Sequence, residues 1–137
     1  MKLKLISIEW EILSLENVWQ AVVPTKDWTI TILPWHEAIM SALNPWVLEI
    51  EDWEALLRKF AIWWWIIETD WKTLRIIADM VNYYSELSEK EVKQKLKNAK
   101  QLLKDAKESW KQISPEELLD LEETILKESA RMQLLQR

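Results

Sequence analysis

A chain of 137 residues that holds eleven tryptophans and no glycine has few ordinary ways to turn a corner. Glycine enters left-handed backbone at little cost, and tight turns with a central φ > 0 ask for Asn-Gly or Asp-Gly. At the usual frequency a chain of this length carries about ten glycines. Here the reversals between strand-like runs read Asp27-Trp28, Asp52-Trp53 and Asp70-Trp71. The apolar run Phe60 to Ile67 reads as two strands with a break between them, and the break is Trp63-Trp64-Trp65. Tryptophan stands where an ordinary chain places glycine.

From Lys2 to about Tyr84 the apolar residues come in short runs: Leu3 to Ile8, Val18 to Val23, Thr29 to Leu33, Val47 to Ile50, Ala55 to Ile62, Ile66 to Thr69, Leu74 to Ala78 and Met80 to Tyr84. They are rich in Val, Ile, Thr and Tyr and bounded by turn residues, the pattern of an antiparallel β-sandwich or barrel. Glu37 to Leu43 is ambiguous between a strand and a helical turn.

At Ser88 the period changes. Ser88-Glu89-Lys90-Glu91 reads as a capping box. Apolar residues then recur at Val92, Leu96, Ala99, Leu103, Ala106 and Trp110, four and three apart, which makes one helix face. Trp110 falls at the expected helix end, where glycine is favoured in the left-handed conformation. Ser114-Pro115-Glu116-Glu117 opens a second helix, with apolar positions at Leu118, Leu121, Ile125, Met132 and Leu135. Residues 88–113 carry eight Lys against four acids, and residues 114–137 carry three basic groups against six acids. Opposite charge and a short connection predict an antiparallel helical hairpin. The expected class is α+β, with a sandwich domain over 1–86 and a hairpin domain over 87–137.

The charge of −5 argues against nucleic acid as a partner. No run approaches the roughly twenty apolar residues that span a bilayer. The start, Met1-Lys2-Leu3-Lys4, leads into alternation and not into a secretory leader, so no secretion is expected. Without cysteine there is no disulfide framework or thiolate metal site, and without glycine no glycine-rich phosphate loop. His36, the single histidine, has no nucleophile motif beside it. Glu116, Glu117, Asp120, Glu122 and Glu123 interleave with leucines and read as a solvated helix face, not a metal site. No catalytic residue, cofactor or metal is expected.

With glycine read at the tryptophan positions, the whole chain resembles the epsilon subunit of bacterial F-type ATP synthases, called delta in mitochondria. The resemblance rests on Lys2 to Ser7 with Glu9-Trp10-Glu11-Ile12, on Val23-Pro24 through Asp27-Trp28, and above all on Leu33-Pro34-Trp35-His36 in place of Leu-Pro-Gly-His. Leu43-Asn44-Pro45-Trp46-Val47 matches a Pro-Gly turn, Ala61-Ile62-Trp63-Trp64 a Gly-Gly pair, and Leu74 to Asp79 the last strands.

The resemblance implies a strand over Glu37 to Leu43. It also implies a non-catalytic rotor subunit on the cytoplasmic face of a bacterial inner membrane, peripheral to it through the complex. The sandwich would grip the gamma subunit and the membrane c-ring, with Asp27, Thr29, His36 and Glu37 as candidate ring contacts. The hairpin would reach the catalytic head and restrain ATP hydrolysis, with Lys93, Lys97, Lys100, Lys104 and Arg131 as candidate contacts. The nucleotide-sensing pattern of some members, Ile/Leu-Asp-x-x-Arg-Ala, meets Leu87-Ser88-Glu89-Lys90-Glu91-Val92 here, so nucleotide sensing is not expected.

The tryptophans are read as substitutions that impair folding and activity. The alternative is a Trp-rich, membrane-surface or aggregation-prone chain without a specific partner, since Phe60 to Ile67 holds no charge and no proline. Left-handed turns at Trp28, Trp53 and Trp71 would cost about 1–2 kcal/mol each. Indoles at Trp10, Trp19, Trp63, Trp64 and Trp65 would overpack at roughly 1–3 kcal/mol each. A sum of that order rivals the ~5–15 kcal/mol that holds a domain.

Overall fold

The structure is a computed structural model that describes residues 1–108 and 113–136, except the side chains of Trp64 and Trp65. Eight strands precede two helices: β1 (Lys2–Ile6), β2 (Glu11–Leu15), β3 (Val18–Pro24), β4 (Thr29–Ile32), β5 (Ile39–Ala42), β6 (Trp46–Asp52), β7 (Leu57–Thr69), β8 (Thr73–Tyr83), α1 (Glu89–Glu108) and α2 (Pro115–Gln136). The strands run in the order β2-β1-β8-β7-β6-β3-β4, and β5 also pairs with β7. All pairings are antiparallel except β1 with β8. The α+β expectation and the strand over Glu37 to Leu43 hold, the latter as β5.

The expected break at Trp63 to Trp65 is not a break, because β7 runs through it. Residues 57–62 of β7 pair with β6, and residues 66–69 pair with β5. The tryptophans mark the place where one strand changes neighbours, while β8 follows on its other side. Phe60 to Ile62 and Ile66 to Ile67 are therefore paired on both sides, as in an inner strand and not an open edge. The runs Leu74 to Ala78 and Met80 to Tyr84 likewise join into the single strand β8, which ends at Tyr83, with Tyr84 opening a short 3-10 helix.

The folded-over sheet encloses one core. Leu3, Leu5, Leu74 and Ile76 meet Val18, Ile32, Leu48, Ile50, Phe60 and Ile62, all essentially inaccessible. Each such side chain contributes roughly 1.5–3 kcal/mol by leaving water. Alternation explains β1, where Leu3 and Leu5 point inward and Lys2 and Lys4 reach Glu16 and Glu11 at 3.3 and 3.9 Å. Strand β2 was not anticipated. It is an edge strand without a fully buried residue, so its pattern carries little period-2 signal.

The turns correct the left-handed expectation at Trp28, Trp53 and Trp71. Among the described residues, the non-glycine positions with positive φ are Trp35 at 68° and Ala55 at 60°. The aspartates close the other turns. Asp70 Oδ1 accepts from the Lys72 and Thr73 amides at 2.8 and 2.7 Å, and Asp52 Oδ1 accepts from Glu54 and Leu56 at 3.0 Å each. A carboxylate that imitates a backbone acceptor folds the chain without left-handed geometry at the tryptophan. At the first turn Thr25 does this work: its Oγ1 accepts from the Trp28 amide at 3.3 Å, and its own amide donates to the Trp28 carbonyl at 3.0 Å.

The rings mostly face outward. Trp10, Trp28, Trp35, Trp53 and Trp71 are exposed, and Trp63 is buried. Trp19 occupies a bulge: Val18 pairs with Asp52 and Gln20 with Glu51, which leaves Trp19 extra. Its ring leans on Trp53 with centroids 4.4 Å apart. Overpacking at Trp10 and Trp19 is thus replaced by outward placement. The Trp64 and Trp65 side chains, the C-cap expected at Trp110 and the end of its seam lie outside the described residues.

The helices form the expected hairpin, with Val92 and Ala99 of α1 buried. α1 packs on α2, and α2 lies on β6 and β7. The opposite charges of the helices do not hold it together. Among the described residues no ion pair links α1 to α2; the pairs are Lys93–Glu89 and Arg131–Glu128. Exposed charges gain little by leaving water for each other. The anticipated α2 face supplies Met132, but a second face was missed. Ala130 and Leu134 pack with Val47 and Ala61, an additional contact that the hairpin pattern alone does not require. Ser88 caps α1 weakly, its Oγ accepting from the Glu91 amide at 3.5 Å, and Ser114 caps α2 through Glu117 at 3.2 Å.

Candidate functional site

The sandwich candidates flank the four-residue strand β4. Asp27 lies in the turn before it and Thr29 opens it, both exposed. That turn and the end of β3 are tied to the end of β5 and the residues after it by the Lys26 amide on the Ala42 carbonyl at 2.9 Å and the Asn44 amide on the Pro24 carbonyl at 3.0 Å. His36 and Glu37 lie beyond β4. The His36 amide closes on the Leu33 carbonyl at 3.1 Å, with Pro34 and left-handed Trp35 between them. Proline followed by φ > 0 is the pattern of a type II turn, which explains why this position wants glycine. His36 Nδ1 lies 2.8 Å from the Glu37 carbonyl oxygen. The Asp27 and Glu37 carboxylates make no hydrogen bond or ion pair among the described residues. The candidates thus lie at the two ends of β4, Asp27 and Thr29 at its start and His36 and Glu37 beyond its end.

On α1, residues 93, 97, 100 and 104 recur at four, three and four. At about 100° per residue this confines them to a stripe roughly 60° wide and about 16 Å long. All four lysines are exposed and, with Leu96 and Gln101, line a shallow groove of about 360 Å³. Lys93 pairs with Glu89 at 2.6 Å. The remaining three have no ion pair among the described residues, so their charge faces solvent.

Arg131 stands apart from that stripe. Half-buried on α2, it donates from Nε to Asn82 Oδ1 at 2.8 Å and from Nη2 to Met80 Sδ at 3.0 Å. It also pairs with Glu128, whose second oxygen is buried without a hydrogen-bond partner among the described residues. In this arrangement its donors are taken by its own sandwich and by Glu128 of its own helix. Lys127 adds a cation over the Trp63 ring. Sequence reasoning missed Asn82, Lys127 and the role of Trp63, because nothing local links α2 to strand residues about 50 or more positions away; it also missed Glu128, although that residue lies one helical turn from Arg131.

The turn aspartates carry the perturbed electrostatics. The Asp52 carboxyl is held below its ordinary value, first by the Leu56 amide and then by Arg58, against the opposing effect of desolvation. Asp70 is held down by the Lys72 and Thr73 amides. Both aspartates serve turn geometry. Among the described residues no group of three His, Cys, Asp or Glu side chains could hold a metal, and no helix is long and apolar enough to cross a membrane.

The fold is similar to chains in two solved assemblies. One is a cryo-EM structure of the Euglena gracilis mitochondrial ATP synthase containing OSCP, F1 and the c-ring. There the TM-score is 0.80 and the identity 17%, over 93% of this chain and 76% of that one. The other is the central stalk and c-ring of the Tetrahymena thermophila mitochondrial ATP synthase, with TM-score 0.53 and 16% identity, over 63% of this chain and 68% of that one. No curated protein matches the sequence. Residues 1–83 match the family model described as the beta-sandwich domain of the ATP synthase delta/epsilon chain, and the chain belongs to that family.

Proposed function

We propose that the chain works as the delta/epsilon subunit of an ATP synthase central stalk. The family match over residues 1–83 is the observation that carries this reading, and a helical hairpin docked on the sandwich accompanies it. The family is structural and non-catalytic. In our reading residues 1–86 form the rotor-gripping unit, and residues 87–137 the regulatory one.

The sandwich engages the gamma subunit, and Asp27, Thr29, His36 and Glu37 meet the membrane c-ring. The lysine stripe Lys93, Lys97, Lys100 and Lys104 meets acidic surface on the catalytic head and restrains ATP hydrolysis. Arg131 joins that contact only when α2 leaves the sandwich, since its donors are otherwise engaged. The complex places the chain at the membrane surface, on our assignment the cytoplasmic face of a bacterial inner membrane.

Reconstitution with the head, gamma and c-ring tests this. The chain is expected to co-purify with gamma and lower ATP hydrolysis. Reversing Lys97 and Lys100 to Glu should relieve inhibition without releasing gamma. Failure to bind gamma, with equal binding to plain lipid vesicles, would support the Trp-rich surface reading instead.

A further inference from the structure

A groove of about 430 Å³ opens between the turn that joins β2 to β3 and the turn that joins β6 to β7. It is lined by Leu15, Glu16 and Asn17 from the first and by Asp52, Trp53 and Glu54 from the second. The two turns are tied together, since the Trp53 amide donates to the Asn17 carbonyl at 3.1 Å. Trp53 is 62% exposed, so a broad indole surface meets solvent here. The Trp19 ring stands against it, with the two planes tilted by 56°. This backing favours one orientation of the Trp53 ring and lowers the cost of holding it for a ligand.

The charge around the ring is one-sided. Asp52 is taken by the amides of its own turn and by Arg58, and Glu16 meets Lys2 at 3.3 Å. Glu54 is exposed, and its carboxylate has no hydrogen bond or ion pair among the described residues. An indole beside an unbalanced carboxylate attracts cations, the ring through its quadrupole and the acid through its charge. The kind of cation follows from what the groove lacks. A primary ammonium is strongly hydrated and holds its water unless several acceptors replace it, and one free carboxylate is too few. A quaternary ammonium has no N–H group to satisfy and presents methyl groups to the ring. We propose that this groove binds a quaternary ammonium group, held by Trp53 and Glu54. The site depends on the Trp19–Trp53 pair, so it is a property of these side chains and not of the stalk-subunit fold.

Two-dimensional NMR of the tryptophan indole N–H signals tests this on the full chain. The probe is tetramethylammonium chloride, compared with sodium chloride at equal ionic strength and with tert-butanol, a neutral molecule of similar shape. The Trp53 and Trp19 signals are expected to shift saturably with tetramethylammonium alone. Trp53→Leu, which keeps an apolar side chain but removes the ring, should weaken binding at least about tenfold, and Trp53→Phe should retain part of it. Glu54→Gln leaves the turn amides undisturbed and should weaken binding about threefold. Unchanged signals elsewhere show that each variant is folded. Choline chloride against phosphatidylcholine vesicles then tells a free cation from a lipid headgroup. Equal shifts at Trp10, Trp28 and Trp71 would mean unselective contact with any exposed indole and would overturn the proposal. A response to sodium chloride or tert-butanol of the same size would overturn it too, as would full binding by Trp53→Leu.

Discussion

Lys127 Nζ lies 4.8 Å from the centroid of the Trp63 ring, joining α2 to the middle of β7. Trp63 is only 2% exposed, so this indole fills space beneath the hairpin. The sequence reading made it an overpacked substitution whose removal relieves strain. Its burial against the hairpin favours the opposite sign. Trp63→Ala is expected to destabilise the chain by about 3–5 kcal/mol, the usual result of emptying an aromatic core position. Urea unfolding followed by circular dichroism measures it; a gain in stability would contradict the packing described here.

Strain is concentrated at Trp35 and Ala55, where φ is 68° and 60°. Trp35→Gly and Ala55→Gly should each stabilise by about 1 kcal/mol, since glycine removes the left-handed penalty. Trp28→Gly, Trp53→Gly and Trp71→Gly should give no gain. Their turns already close, and glycine adds about 0.4–1 kcal/mol of unfolded-state freedom. Trp53→Gly also loses the Trp19 contact. Thermal melts of the five single variants test this ranking.

Arg131 and Glu128 should hold the hairpin down. Glu128 is 4% exposed, and Arg131→Ala would leave its carboxylate buried without a cation. The expected cost is roughly 3–5 kcal/mol, as for other broken buried pairs. Hydrogen exchange should show α2 losing protection before the inner strands do. Asn82→Ala should produce the same order with a smaller loss.

Acid should act through the turn aspartates. Their folded pKa values lie below the ordinary ~3.9. Their contribution is therefore present above that value and is lost as pH falls through the folded one. Asp52→Asn and Asp70→Asn keep a side-chain oxygen for the turn amides but remove the titration. In both variants the urea midpoint should fall less steeply below about pH 4 than in the parent chain.

Much of the fold was legible because it rests on local periodicity. Alternation in Lys2 to Ile6, the β-branched run Val18 to Val23 and the cap at Ser88 each announce their own element. The candidate sites were legible in unequal measure. The lysine stripe follows from helical spacing alone, and the structure leaves it intact. Arg131 looked equivalent to those lysines in sequence. Its neighbours turned out to be Met80 and Asn82, which no spacing rule connects to it.

By itself the sequence determined the division into strands and helices, the hairpin and its lysine face. These depend on residues a few positions apart, where period and capping act directly. Only the tertiary structure decided how Trp63 to Trp65 join two halves of one strand, which turns carry left-handed strain, and which face of α2 meets the sandwich. These depend on partners far along the chain. A carboxylate can replace glycine in a turn, and a buried indole can fill a space, only when the surrounding packing provides for it.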